Sequence, residues 1–156
     1  MHINGLPLHP FVVHLVVVLA PTAAFLAIVF ALVPTWRWWA RLPLVGASVV
    51  GAVATWVAAS SGDSLKHQLG IRGHLIELHE LWAGRLQVSM WAIAAVALAA
   101  AWCLPTSNPL EGRPDRTARI AVLTKPLVVA LPVVGLAVMF LVFKTGEAGA
   151  RSVWAG

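Results

Sequence analysis

Four long apolar runs dominate this sequence, and each is long enough to cross a lipid bilayer as an α-helix. A spanning helix needs roughly 20 apolar residues. The runs and the Pro, Gly and charged residues that flank them predict spans near residues 10–33, 43–60, 80–104 and 120–144. Because the connections between the spans are short, we predict an all-α fold: an integral membrane antiparallel four-helix bundle.

The composition supports this prediction and excludes several classes of protein. Of the 156 residues, 60% are hydrophobic and 11% are charged, whereas a soluble domain is roughly 45–50% apolar and about 25% charged. We therefore expect one membrane domain over 1–156. The single cysteine, Cys103, excludes Cys-rich zinc and iron–sulfur sites. The net charge of +5 is scattered at helix ends, which favours anionic lipid over nucleic acid as the partner.

Punctuating residues predict where the helices begin and end. Pro10 suits the first turn of the first helix. The second helix is predicted to stop at Ser60–Asp63 and to be followed by a polar connection over 63–73. The third helix is predicted to begin near Gly73 at the surface and to stop before Pro105, and the fourth leaves the bilayer at Lys144–Glu147. No internal repeat is visible in the sequence.

An even number of spans predicts that both termini and the 61–73 connection lie on one side of the membrane. The two connections on the other side carry six Lys and Arg residues, against five on the side of the termini. Cytoplasmic connections carry the excess of Lys and Arg. We therefore expect the side of the termini to face outward from the cell.

All six histidines fall on that side, at one end of the predicted bundle: His2, His9, His14, His67, His74 and His79. Ionisable groups close to hydrocarbon are costly and usually functional. Each helix also brings one polar group to a similar depth, and these groups are His14, Asp63, His79 and Glu147. Bundles build cofactor and metal sites from such inward-projecting side chains. We predict that His14 and His79 face the interior and share a ligand, with Glu147 at the same level.

Three segments carry a resemblance to a known family: the opening Gly5–His14, the pair His79-Glu80, and the ending Thr145–Trp154. Together they resemble the small four-span bacterial membrane proteins grouped as domain of unknown function family 2231, and the likeness covers essentially the whole chain. The resemblance implies a multi-pass protein of the bacterial cell membrane, with a pattern like that of small b-type cytochromes. Relatives often have a histidine where this chain has Glu147, which argues against a ligand from the fourth helix.

Two kinds of cofactor fit these residue types. A haem b needs two imidazoles from facing helices and cations near its propionates; His14 and His79 are the candidate ligands, with Arg85, Lys144 or Arg151 balancing the anions. Alternatively, His14, His79, Asp63 and Glu147 supply the donors of a Zn, Cu or Fe site. A third interpretation needs no cofactor, because interfacial histidines also bond to carbonyls or lipid headgroups.

The functional hypothesis is therefore a cofactor-binding membrane subunit in electron transfer, with a redox partner or a second copy of the chain beside it in the bilayer. The alternatives are a structural or accessory membrane protein without cofactor, and a small transporter subunit. The sequence shows no Ser/His/Asp arrangement, Gly-rich phosphate loop or paired catalytic carboxylates. We therefore do not predict an enzyme.

Overall fold

The computed structural model describes residues 2–3, 6–70, 73–106 and 117–154. These parts are helical apart from short connections and one antiparallel pair of two-residue strands, β1 (His2–Ile3) and β2 (Leu6–Pro7). The helices are α1 (Leu8–Leu32), α2 (Arg37–Leu69), α3 (His74–Cys103) and α4 (Thr124–Trp154). All four are long and apolar enough to cross a membrane. The all-α prediction is confirmed.

The four helices form a ring in which each packs against its two neighbours, and α1 and α3 touch only slightly across the diagonal. Neighbours run antiparallel, since the start of α1 meets the end of α2 and the start of α3 meets the end of α4. We call α1–α2 the first hairpin and α3–α4 the second hairpin. The core between them is built mainly of alanine with a few larger side chains such as Phe30 and Met90.

Two helices are longer than the sequence predicts. α2 continues through the predicted stop at Ser60–Asp63 and ends only at Leu69, so most of the predicted 63–73 connection is helical. The Ser60 and Ser64 hydroxyls donate to carbonyls four residues earlier, so these polar side chains are satisfied within the helix. Gly70, with φ of 61°, ends the helix in the left-handed conformation. α4 likewise runs past Lys144–Glu147 to Trp154.

At the end of the bundle away from the histidines, a buried arginine caps the C-terminal end of α1. The Arg37 side chain is 4% exposed; its Nε donates to the Phe30 carbonyl at 2.8 Å and its Nη2 to the Ala31 carbonyl at 3.2 Å. Both acceptors lie in the last turn of α1, where carbonyls have no partner within the helix. α2 thus supplies the C-terminal cap of α1.

Aromatic side chains mark two levels along the bundle. Trp82 and Trp102 of α3 lie 20 residues apart, about 30 Å at 1.5 Å per residue, which matches the hydrocarbon thickness of a bilayer. Exposed aromatic residues accompany them on the other helices, at the level of Trp102 (Trp36, Trp39) and at the level of Trp82 (Trp56, Phe143). These two levels predict that α2, α3 and α4 extend past the hydrocarbon at the histidine-bearing end.

The second hairpin repeats the architecture of the first. Adding 70 to the number of a residue in α1 gives its equivalent in α3, and this relates Leu8-His9 to Leu78-His79. The same offset matches seven pairs of buried residues: Val16/Leu86, Ala20/Met90, Ala23/Ile93, Ala24/Ala94, Ala27/Ala97, Phe30/Ala100 and Ala31/Ala101. The buried face of α3 is therefore that of α1, with different side-chain volumes.

The second helices of the two hairpins match at an offset of 87. A 3₁₀ turn precedes each of them, at Pro34–Trp36 and at Ala121–Leu123. Three buried pairs follow the same offset: Leu44/Leu131, Ser48/Gly135 and Gly51/Val138. The two hairpins thus share a pattern of buried positions that is not visible as a repeat in the sequence. Alanine, valine and leucine exchange freely in these helices, so the shared pattern is one of burial rather than identity.

Candidate functional site

The first helix of each hairpin is fastened to the second by a histidine near its start. In the second hairpin, Nδ1 of the half-buried His79 donates to the Thr145 carbonyl at 3.0 Å. The ring lies against Gly149, where an added Cβ would come within 3.1 Å of the ring carbon Cε1. We call this arrangement, a ring on a glycine with Nδ1 bonded to the carbonyl one turn earlier, a histidine clamp.

The first hairpin contains the same clamp. Nδ1 of His9 donates to the Ala58 carbonyl at 2.9 Å, and the ring lies against Gly62, where an added Cβ would be 3.0 Å from Cε1. The Ser61 hydroxyl is 3.5 Å from the same nitrogen. Ala58 and Gly62 are the equivalents of Thr145 and Gly149 at the offset of 87. The clamp is therefore part of what the two hairpins share.

The clamp also fixes the chemical character of each imidazole. A neutral ring whose Nδ1 carries the proton presents an unprotonated Nε2 with a lone pair. Within the described residues, no hydrogen bond engages Nε2 of His9 or His79. Metal-binding histidines have this same arrangement, with one nitrogen donating to a carbonyl and the other free to coordinate.

His14 does not face the interior, so that prediction is wrong. The buried face of α1 runs through Val16, Ala20 and Ala27, and His14 lies well around the helix from it, exposed among apolar side chains such as Leu15 and Val18. Its Nδ1 donates to the Pro10 carbonyl in its own helix. Val12 is the equivalent of Trp82 at the offset of 70, and His14 lies two residues after it. The level of Trp82 thus predicts that His14 lies at the edge of the hydrocarbon.

The two predicted carboxylate ligands have other partners. Asp63 is exposed and lies 3.5 Å from Nε2 of the equally exposed His67. Glu147 bonds Lys144 at 2.9 Å and Arg151 at 2.7 Å. Across 6–70, 73–106 and 117–154, no group of three or more His, Cys, Asp or Glu side chains is close enough to hold a metal ion. The structure thus does not assemble His14, His79, Asp63 and Glu147 into one site.

Two further charged groups of α3 have partners in the structure. Glu80 bonds Lys66 of α2 at 2.7 Å, while His79 is oriented by the Thr145 carbonyl. The guanidinium carbon of Arg85 lies 4.8 Å above the ring of Trp82, within the range of a cation–π contact. Three predicted surface cations, Arg72, Arg113 and Arg116, lie outside the described residues, as does the side chain of His2.

A small open cavity of about 160 Å³ lies between α3 and α4 at the histidine-bearing end. Its apolar side comes from α3 and its charged side from α4, and it is lined by Leu75, Leu78, Trp82, Lys144, Glu147, Ala148 and Arg151. Trp82 also packs edge-on against Phe140 of α4, with ring centroids 6.2 Å apart. The cavity is therefore amphipathic and lies at the level of Trp82, where the aromatic residues predict a membrane boundary.

In the sequence, His9 stands out only as one of the six histidines at the common end. Its bond to α2 and its equivalence to His79 were not predicted. The available signal was the dipeptide Leu-His, which occurs at the start of α1 and one turn inside α3, 70 residues apart.

Comparisons with protein-family models, with curated protein sequences and with solved structures find no match for this chain. The likeness to domain of unknown function family 2231 therefore stays a prediction.

Proposed function

We propose that this chain is a multi-pass membrane protein that binds a redox cofactor, preferably haem b, through imidazole at its histidine-bearing end. The observation that carries the proposal is the hydrogen bond from Nδ1 of His79 to the Thr145 carbonyl. It sets the ring in the form that coordinates through Nε2. His9 of α1 supplies the second imidazole, and its Nδ1 also bonds a carbonyl.

The donor set fits haem better than a bare metal ion. A bis-imidazole haem takes two axial ligands from the protein, whereas zinc and related ions usually take at least three, and no such group exists in the described chain. When bound, a haem would supply one-electron chemistry. The residues of this chain would hold its iron through Nε2 and set the ring orientation through Nδ1. Arg85 would balance its propionates.

The test is the absorption spectrum of protein purified after expression with added haem. We expect a Soret band that His79→Ala and His9→Ala each abolish, whereas His14→Ala, at an outward-facing position, should keep it. The exposed histidines His67 and His74 serve as controls, and their alanine variants should keep the band. His9→Ala and His79→Ala remove a clamp as well as an axial ligand. If the band is lost because the ligand is missing, added free imidazole should restore it.

A colourless protein that contains no Zn, Cu or Fe would contradict the proposal. The alternative would then stand: an accessory membrane protein in which the histidines act as structural clamps. One observation favours it, since Nδ1 of both His9 and His79 already ties two helices together. In that case His79→Ala would lower stability without changing any spectrum.

A further inference from the structure

The most unequal part of the two hairpins is their charge. The second hairpin places Lys144, Glu147 and Arg151 along one side of α4, beside the cavity between α3 and α4. The equivalent positions of α2 hold Val57, Ser60 and Ser64. Likewise Arg85 and Trp82 of α3 correspond to Leu15 and Val12 of α1. The first hairpin forms its clamp and buries its core without these charges, so the fold does not require them.

The charges of this cavity do not cancel. Glu147 is the single acid among its lining residues, and it bonds two cations, Lys144 and Arg151. Arg85 and Glu80 lie outside this lining; Arg85 lies over the Trp82 ring and Glu80 is held by Lys66. The cavity, which forms an open groove between α3 and α4, therefore carries an excess of positive charge, and this favours the binding of an anion. Its volume of about 160 Å³ is well below the roughly 300–1,000 Å³ of pockets for drug-sized molecules, so the anionic group is small.

The position of the groove indicates which class of molecule carries the anionic group. Trp82, at the membrane boundary, lines the cavity and touches Phe140 on the side towards the hydrocarbon. Phe140 and Phe143 are 54% and 68% exposed, so an apolar surface continues from the cationic rim down the bundle. A ligand matched to both parts has a phosphate headgroup and an acyl chain.

We propose that the α3–α4 groove binds the phosphate of an anionic membrane phospholipid, with Lys144 and Arg151 at the headgroup and the acyl chain over Trp82 and Phe140. The site goes beyond the cofactor proposal and does not depend on it. Glu147 tunes the affinity, because it partly neutralises both cations in the absence of lipid.

The experiment measures binding of fluorescent phosphatidylglycerol to the full-length protein in neutral detergent, with phosphatidylcholine and inorganic phosphate as comparison ligands. We expect phosphatidylglycerol to bind in preference to phosphatidylcholine, and inorganic phosphate to compete weakly. The double variant Lys144→Gln/Arg151→Gln should bind phosphatidylglycerol about 5- to 30-fold more weakly. Lys125→Gln, an exposed cation at the opposite end, should bind as the unmodified protein does.

A second variant covers the case in which the double variant does not fold. Glu147→Gln removes the acid and leaves both cations, so it should bind phosphatidylglycerol more tightly. Equal binding of the two lipids, an unchanged affinity in the double variant, or weaker binding by Glu147→Gln would each overturn the proposal. So would inorganic phosphate that binds as tightly as the lipid, because the site would then take a free anion.

Discussion

Single carbonyls at the histidine-bearing end accept more than one hydrogen bond. The Ala58 and Thr145 carbonyls lie inside helices that continue well beyond them, so each accepts from its own helix as well as from a histidine ring. The Ala58 carbonyl also accepts from the Ser61 hydroxyl at 3.0 Å. The glycine one turn later leaves room for the ring. These glycines are required for space rather than for backbone freedom.

The clamp can be tested with two glycines of α4. Gly149→Ala places a methyl group 3.1 Å from the His79 ring, whereas Gly146→Ala meets nothing within 4 Å. Both changes gain the same helix propensity, but only the first pushes the ring away from the Thr145 carbonyl. We expect Gly149→Ala to be less stable than Gly146→Ala by about 1–2 kcal/mol, measured by denaturant unfolding in detergent. Equal stabilities would show that the clamp contributes little.

Arg37 allows a similar test at the other end. Replacing it with Met keeps the length of the side chain but removes the donors to the Phe30 and Ala31 carbonyls. A buried polar group that loses its partner costs about 1–3 kcal/mol, and two are affected. We expect a loss of at least about 2 kcal/mol in the unfolding free energy. Lys125→Met, at an exposed position at the same end, should change it little; comparable losses in both variants would refute the cap.

At the scale of helices, the sequence locates the apolar parts well and the polar ends poorly. The start of α3 at His74 and its end before Pro105 agree with the prediction, because Gly73 and Pro105 interrupt the helix directly. The ends of α2 and α4 were set where hydropathy falls. Polar segments remain helical there through serine hydroxyls and pairs such as Lys144–Glu147 and Glu147–Arg151. Hydropathy reports where a helix leaves the lipid, not where it ends.

The projecting helix ends predict a pattern of chemical labelling. Cysteines introduced at His67 and Arg151, both exposed, should react with a membrane-impermeant maleimide from one side of the membrane. Thr35→Cys, in the exposed 3₁₀ turn, should react from the other side. The native Cys103 is buried and should not react with the maleimide. Labelling of residues 67 and 151 from opposite sides would contradict the arrangement, and the reactive side gives the orientation.

The candidate site shows the same difference: the local sequence predicts where the histidines lie along the helices, whereas helix packing determines which groups they contact. The six histidines and their common end follow from counting spans. Their partners do not, because a 3.6-residue period must be phased against neighbours before a side chain can be assigned to a face. His14 was assigned inward from its depth, yet the phase set by Val16 and Ala20 turns it outward. The depth of a side chain in the bundle follows from its position along the helix, whereas the direction in which it points depends on how the helix packs against its neighbours.

At the scale of the whole molecule, the two hairpins meet through close approaches between their helices. A Cβ on Gly51 of α2 would lie 2.6 Å from the Met90 side chain of α3, and one on Gly135 of α4 would lie 3.0 Å from the Ala24 carbonyl of α1. Small residues permit such tight contacts in membrane bundles, where van der Waals packing holds helices together. The two hairpins therefore fit each other through surfaces that do not need the connecting peptide.

We expect the chain to assemble from two pieces. Residues 1–71 and 72–156, expressed together, should purify as one complex, since the cut falls in the short connection between α2 and α3. Gly51→Leu in the first piece should prevent association by filling the contact with Met90, while Gly46→Leu, where a Cβ meets nothing within 4 Å, should not. Failure of the unmodified pieces to co-purify would show that the connection is needed to hold the hairpins together.

The number of helices in the repeated unit has a consequence for how such a chain can arise. A hairpin crosses the membrane twice and returns to the side from which it started. A second copy joined directly behind it therefore inserts the same way round, and the joint can be as short as the residues between Leu69 and His74. A unit with an odd number of crossings would emerge upside down in its second copy, as in inverted-repeat transporters. Tandem gene fusion of two paired hairpins would thus yield this topology without any reversal of membrane orientation.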